Sequence, residues 1–291
     1  MKMNTAMKIS KIFLLSSVAL MAVACQDKKD EPKPTPTPTP GEDVCFGGEL
    51  EENAESRTIY GEEVEGTGGA YSFPIKWLWY ADDKDNDKVF IASPQCRADF
   101  NSGTFAVTEE ANNKTYAGTF VKQSGAVQWG STATADFYSI YPQRDGNFEV
   151  KTASGFSATN ATFELNMPAT QTCIVEGATP VMTTADMWAC FMYAKTPDVA
   201  NGTTPVNLRY TPLSTAIRFT LRGPNVQGQK VEVSRIRLIG PSDAALTGKF
   251  NVNLTNVNQI ESEGHPIIKP TVTPVSGETS NIVTVFARYK N

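Results

Sequence analysis

Few residues in this 291-residue chain could start a reaction. The only histidine is His265, and a Ser-His-Asp or Cys-His constellation would have to use it. It stands between Gly264 and Pro266 in a stretch that reads as a loop. A surface or capping histidine is therefore the expectation, and no catalytic residue is assigned. The run Asp82-Asp-Lys-Asp-Asn-Asp-Lys88 resembles a calcium loop. An EF-hand loop opening at Asp83 needs glycine where Lys88 stands and glutamate where Pro94 stands, so the run reads as a polar hairpin turn. Glu65 to Ala70 is glycine-rich but lacks the strand-then-helix setting of a phosphate cradle. Cys45, Cys96, Cys173 and Cys190 form no Cys-x-x-Cys pair, which argues against zinc. In an oxidising compartment these four allow up to two disulfides in three possible pairings, and buried free thiols fit equally. No metal or cofactor is expected.

The fifth cysteine, Cys25, has the clearest chemistry: a thiol placed to carry acyl chains. A cationic head (Lys2, Lys8, Lys11) precedes an apolar run from Ile12 to Ala24, which ends on the small residues Ala22 and Ala24. The run is short for a membrane span and suits a signal peptidase, so residues 1–24 read as a lipoprotein-type signal peptide. Residues 25–42 read as the lipidated cysteine and its spacer. Within them, Pro32 to Pro40 is PKPTPTPTP. Proline fixes φ and removes the amide donor, so this stretch cannot join a helix or sheet. In a polyproline II conformation it spans on the order of 30 Å, enough to lift a folded body off a membrane.

About 250 residues remain, enough for two modest domains. Charged residues make up 20% and the formal net charge is −5, so a nucleic-acid partner has no electrostatic support. Long helical periodicity is absent. Short apolar stretches alternate with polar residues, broken by Gly, Asn, Asp and Pro, the spacing of sandwiches and barrels. Strands are expected over Tyr71–Tyr80, Lys88–Ala92, Thr115–Val121, Ala135–Tyr141, Thr162–Leu165 and Gln171–Glu176. Further strands are expected over Thr215–Arg222, Lys230–Gly240 (with a bulge near Ser234-Arg235), Lys249–Leu254 and Ile282–Tyr289. Asp186–Tyr193 is ambiguous between strand and helix. Gly, Asn and Pro cluster at 198–205, which places a boundary between 43–203 and 204–291. The second part holds fewer than ninety residues, thin for a seven-stranded sandwich of about 100. Either it is truncated or its last strand awaits a partner.

Trp77, Trp79 and Trp129 are the aromatics that could stack on a ligand. On one strand Trp77 and Trp79 share a face, which is either core or a platform for sugar rings.

Four segments follow one another behind the spacer: Ser56-Arg57-Thr58-Ile59-Tyr60; Ile75-Lys-Trp77 followed by Asp87-Lys-Val-Phe-Ile91; Ala135-Asp-Phe-Tyr-Ser-Ile-Tyr-Pro142; and Val206-Asn-Leu-Arg-Tyr210 running into Leu213-Ser-Thr-Ala-Ile-Arg-Phe-Thr-Leu221. Together they resemble the fimbrillin family, the type V pilus subunits and related anchored lipoproteins of anaerobic gut and oral bacteria. The histidine usual before the leucine of the fourth segment is replaced by Thr211 or Pro212. The resemblance implies an all-β fold of two transthyretin-like β-sandwich domains in tandem. It also implies a non-enzymatic fimbrial subunit, lipid-anchored at the cell outer membrane, with a role in adhesion. Proteolytic processing would fall at Arg57, and the partners would be other fimbrial subunits in a homo- or hetero-polymer. Removing a strand leaves unpaired backbone over an apolar groove, which a neighbour's strand fills. The alternative is a non-polymerising surface lipoprotein that binds glycans through exposed Trp77, Trp79 and Trp129.

Overall fold

The computed structural model describes residues 40–50, 56–60, 64–65, 71–72, 75–77, 79–80, 87–108, 114–115, 117–176, 182–184, 189–215, 217, 219, 232–259 and 267–289. Among them the chain is almost entirely strand and turn, with two short 3-10 turns and no α-helix. The strands, in chain order, begin with β1 (Phe46–Leu50), β2 (Ser56–Tyr60), β3 (Val64–Glu65), β4 (Tyr71–Ser72), β5 (Ile75–Trp77), β6 (Trp79–Tyr80) and β7 (Lys88–Ala92). Next come β8 (Asn101–Thr108), β9 (Lys114–Thr115), β10 (Ala117–Val127), β11 (Thr134–Tyr141), β12 (Lys151–Thr152), β13 (Thr162–Met167) and β14 (Thr170–Glu176). The last are β15 (Met182–Thr184), β16 (Met192–Ala200), β17 (Val206–Pro212), β18 (Arg235–Ile239), β19 (Thr247–Asn253), β20 (Thr271–Ser280) and β21 (Ile282–Tyr289).

Seven strands close into a barrel in the order β1-β10-β8-β7-β11-β16-β17. All neighbours are antiparallel except β1 and β17, whose parallel pairing closes the ring with Phe46 opposite Val206. Inward-facing Phe46, Ile91, Phe105, Phe137, Leu208 and Tyr210 are fully or almost fully buried and form the first core. Phe46 meets Phe105 and Phe137 edge-on at 5.1 and 5.4 Å between ring centroids. Gly48 is needed for this packing, because a Cβ there would run into the Phe120 ring. The β8–β10 ladder slips between Lys122 and Ser124, and Gly125 just after the slip, paired with Gly103, takes φ +67°, a conformation glycine adopts without strain.

Alternate residues of β7, β11 and β16 point out of the barrel and are apolar too: Phe90, Tyr138, Ile140 and Tyr193. A four-stranded sheet, β12-β13-β19-β20, covers them with Phe163, Leu165, Phe250 and Val252, making a second core. That is why β11 reads buried along nearly its whole length rather than at every other residue.

A second four-stranded sheet has the order β15-β14-β21-β18. β13 runs into β14 across Pro168-Ala169, and β20 into β21 across Asn281, so each passes from one sheet to the next. Both sheets combine segments from either side of residue 203. β17, at 206–212, belongs to the barrel.

The strands expected at Lys88–Ala92 and Ile282–Tyr289 form over those residues, and those expected near 135–141, 162–165, 171–176 and 249–254 form with slightly different bounds. The strand expected over 71–80 is instead three short pieces, β4, β5 and β6, each paired with a different neighbour. β18 begins at Arg235, with Glu232 to Ser234 outside any strand. Of the strand expected over 215–222, only Thr215, Ile217 and Phe219 are described; none lies in a strand, and Ile217 and Phe219 are 59% and 45% exposed.

Candidate functional site

Cys25, His265 and Asp82 to Asn86 lie outside the described residues. Asp87 is buried and accepts a hydrogen bond from the Tyr141 hydroxyl at 3.0 Å, so it ties β7 to β11. The four other cysteines are free thiols. Cys45 is exposed, and Cys190 packs half-buried against the barrel core. Burial pushes the Cys96 thiol up to about 11, so it stays protonated at neutral pH. Burial also raises Cys173. Among the described residues no three His, Cys, Asp or Glu side chains come together in a way that could hold a metal.

Arg57 lies in β2, which pairs antiparallel with β5. The ladder slips between Ser56 and Ile59, so Arg57 and Thr58 stand opposite no residue in register. Trp77 and Trp79 belong to different two-stranded pairs: in backbone register Trp77 of β5 is paired with Ser56, and Trp79 of β6 with Thr115. They do not form the single continuous strand expected of them. Trp129, which the glycan-binding alternative expects to be exposed, is instead a core residue. It is 3% exposed and packs edge-on against Phe137 at 5.4 Å, because it enters the barrel just after β10. No face of its ring is left for a sugar.

The sheet β15-β14-β21-β18 differs from the rest of the molecule. By register, Ile236 and Leu238 of β18 lie opposite Val285 and Val283 of β21, with Gln171 of β14 beyond Val285 and Cys173 opposite Ala287. Apart from Gln171 this face is apolar, as a core face would be, yet each of these residues is only half-buried. Nearby, where the second core opens, an apolar cleft of about 110 Å³ is lined by Leu165, Phe191, Leu213, Leu246, Phe250 and Val272 among others.

Two polar features gave no sign in the sequence. β16 and β17 pair only at Met192 with Pro212 and Tyr193 with Thr211, then separate. The Gln259 side chain fills the gap. Its Oε1 accepts from the Lys195 amide at 2.7 Å, and its Nε2 donates to the Tyr193 and Arg209 carbonyls at 3.3 and 3.2 Å and to Thr211 Oγ1 at 2.8 Å. A side-chain amide thus replaces missing backbone pairs in the barrel wall. Lys195 donates its ammonium to the Thr255 carbonyl at 2.6 Å and lies over the Tyr138 ring at 5.7 Å. Burial lowers the Lys195 pKa, and burial followed by the neighbouring Asp136 raises that of Tyr138. These contacts fasten the 255–259 segment across the barrel. They leave Lys195 as a strut with no reacting partner within the cluster.

Comparison with family models, with curated proteins and with solved structures finds no match to this chain.

Proposed function

We propose that the chain is a surface-anchored fimbrial subunit without enzymatic activity. It is exported, acylated at Cys25, cut after Arg57 and joined to other subunits by strand donation at the cell outer membrane, where it serves adhesion. The finer fold in this reading is a tandem of two transthyretin-like β-sandwiches, the second short. The observation that carries the proposal is the half-covered apolar face of β18, β21 and β14. A sheet that is apolar on one face is stable when another layer covers it. An exposed edge strand beside such a face is a template for an incoming strand. Two further features support the reading: the signal-and-spacer pattern of residues 1–42, and the broken ladder at Arg57, where a protease meets backbone not held in register.

The test uses lipid-free protein treated with an arginine-specific protease, followed by light scattering alone and with candidate neighbouring subunits. Cleavage after Arg57 is expected to permit multimers, and an Arg57→Gln variant is expected to stay monomeric under the same treatment. A cut protein that remains strictly monomeric in every mixture overturns strand donation. Radiolabelled palmitate on the full chain, with Cys25→Ser as control, tests the anchor separately.

A further inference from the structure

The outer face of the same sheet carries a pattern unlike the rest of this acidic chain. Arg235 and Arg237 alternate along the edge strand β18. Phe286 of β21 lies directly opposite Arg235, and Thr284 opposite Arg237. Thr172 of β14 flanks Phe286 on its other side. Arg288 is two residues beyond Phe286 and therefore on the same face. All three arginines are exposed, and Phe286 is 40% exposed. No described carboxylate pairs with any of the three guanidinium groups, whereas Lys122, Lys151 and Lys249 each have an acidic partner.

Same-face residues along a strand repeat at roughly 6.6 Å, so the rows holding Arg237, Arg235 and Arg288 span about 13 Å along the strands. The result is an open platform with one aromatic ring: Arg235 and Arg288 stand on two adjacent sides of it, Thr172 and Thr284 on the other two, and Arg237 diagonally beyond Thr284. Guanidinium groups take carboxylate or sulfate oxygens two at a time. An aromatic ring with hydroxyls beside it suits the apolar face and rim of a sugar. We propose that this face binds an anionic polysaccharide. The formal net charge of −5 provides no long-range attraction for any polyanion, nucleic acid or polysaccharide. Recognition here rests on contact, which favours a chain of rings with spaced charges over a nucleic acid. The proposal stands apart from strand donation, because it uses the opposite face of the sheet and needs no cleavage.

The test is heparin binding by uncut, lipid-free protein at low ionic strength, with dextran as the neutral control. Heparin is expected to bind and dextran not to bind, with affinity falling as salt rises. The triple variant Arg235→Ser/Arg237→Ser/Arg288→Ser is expected to lose about tenfold or more, from three exposed charge contacts acting together. Phe286→Ser is expected to lose several-fold without changing the salt dependence. Circular dichroism checks that the variants fold, and Arg288→Ser alone serves if the triple variant does not. Absence of heparin binding, or full binding by the folded arginine variants, overturns the proposal. Duplex DNA competing as well as heparin, with Phe286→Ser neutral, replaces it with simple charge attraction. Tighter binding of a peptide spanning the carboxylate-rich stretch Glu49-Leu-Glu-Glu-Asn-Ala-Glu55 replaces it with a contact to that stretch of a second copy.

Discussion

β13 and β14 are two stretches of one nearly continuous extended segment, as are β20 and β21, yet the two sheets they build differ in how well they are covered. In β13, Phe163 and Leu165 are buried beneath the outer face of the barrel, where the Phe163 ring meets Phe90 and Phe156 at 6.2 and 5.5 Å. Beyond Pro168, the strands of the other sheet have the same alternation of apolar and polar residues, but among the described residues no second layer buries it. The difference lies in what stands opposite the sheet, because alternation marks which face wants covering and leaves open what covers it. The barrel supplies that cover on one side of the bend. On the other side, the proposal assigns it to a neighbour.

The sharpest way to break this contrast is to truncate both sides. Phe163→Ala is expected to cost about 3–5 kcal/mol by urea unfolding, since it opens a cavity among buried rings. Val285→Ala, half-buried in the open sheet, is expected to cost about 1 kcal/mol or less in the monomer. Equal costs would mean that the open sheet is covered in the isolated chain, and a Val285→Ala cost that grows on assembly would locate the missing layer.

Next in size is Gln259→Ala. Removing the amide takes a hydrogen-bond partner from the Lys195 N–H and from the Tyr193 and Arg209 carbonyls where β16 and β17 part, which is expected to cost about 1–3 kcal/mol. Hydrogen exchange is expected to speed up at Lys195 and to change little in β18 and β21.

The thiols then separate the closed region from the surface. Native protein at pH 8 is expected to modify quickly at Cys45 and slowly at Cys96, which should react fully only after unfolding. The folded Cys96 pKa is raised from 9.0 to about 11, so the folded state holds its proton more tightly. Its contribution is complete below pH 9 and is lost as pH rises toward 11. Rapid labelling of Cys96 at pH 8 would argue that the barrel breathes. The smallest effect expected is that of Lys122→Ala. The Asp43 carboxylate is held below its ordinary value chiefly by a hydrogen bond from Lys122, but both groups are about half exposed. The loss should stay under about 1 kcal/mol and shrink in high salt. Because the folded pKa is lowered, any such contribution is present above pH 4 and fades on acidification.

Much of the strand content was legible because alternation over Lys88–Ala92, Lys249–Leu254 and Ile282–Tyr289 is a local signal. The barrel was not, because its closure joins β1 to β17 in parallel across about 160 residues, and no local pattern encodes that pairing. The place of Trp129 in the core was not legible, because its neighbours Gln128 and Gly130 give no alternation to say which way it points. The role of Gln259 was hidden for a related reason: a lone amide in a polar stretch looks like loop until the gap it fills is seen. Arg235 and Arg237 could be placed on one face from the sequence. That Phe286 stands between their strand and β14 depends on register, which comes only from the folded ladder.

β11 presents Phe137 and Tyr141 to one core and Tyr138 and Ile140 to the other, with Ser139 bonded to both the Phe90 carbonyl and the Tyr210 hydroxyl. A wall shared in this way ties two thermal transitions into one. Loss of side-chain order inside the ring strips the support from the layer outside it, so calorimetry should record a single cooperative peak for both, with any earlier melting confined to the open sheet.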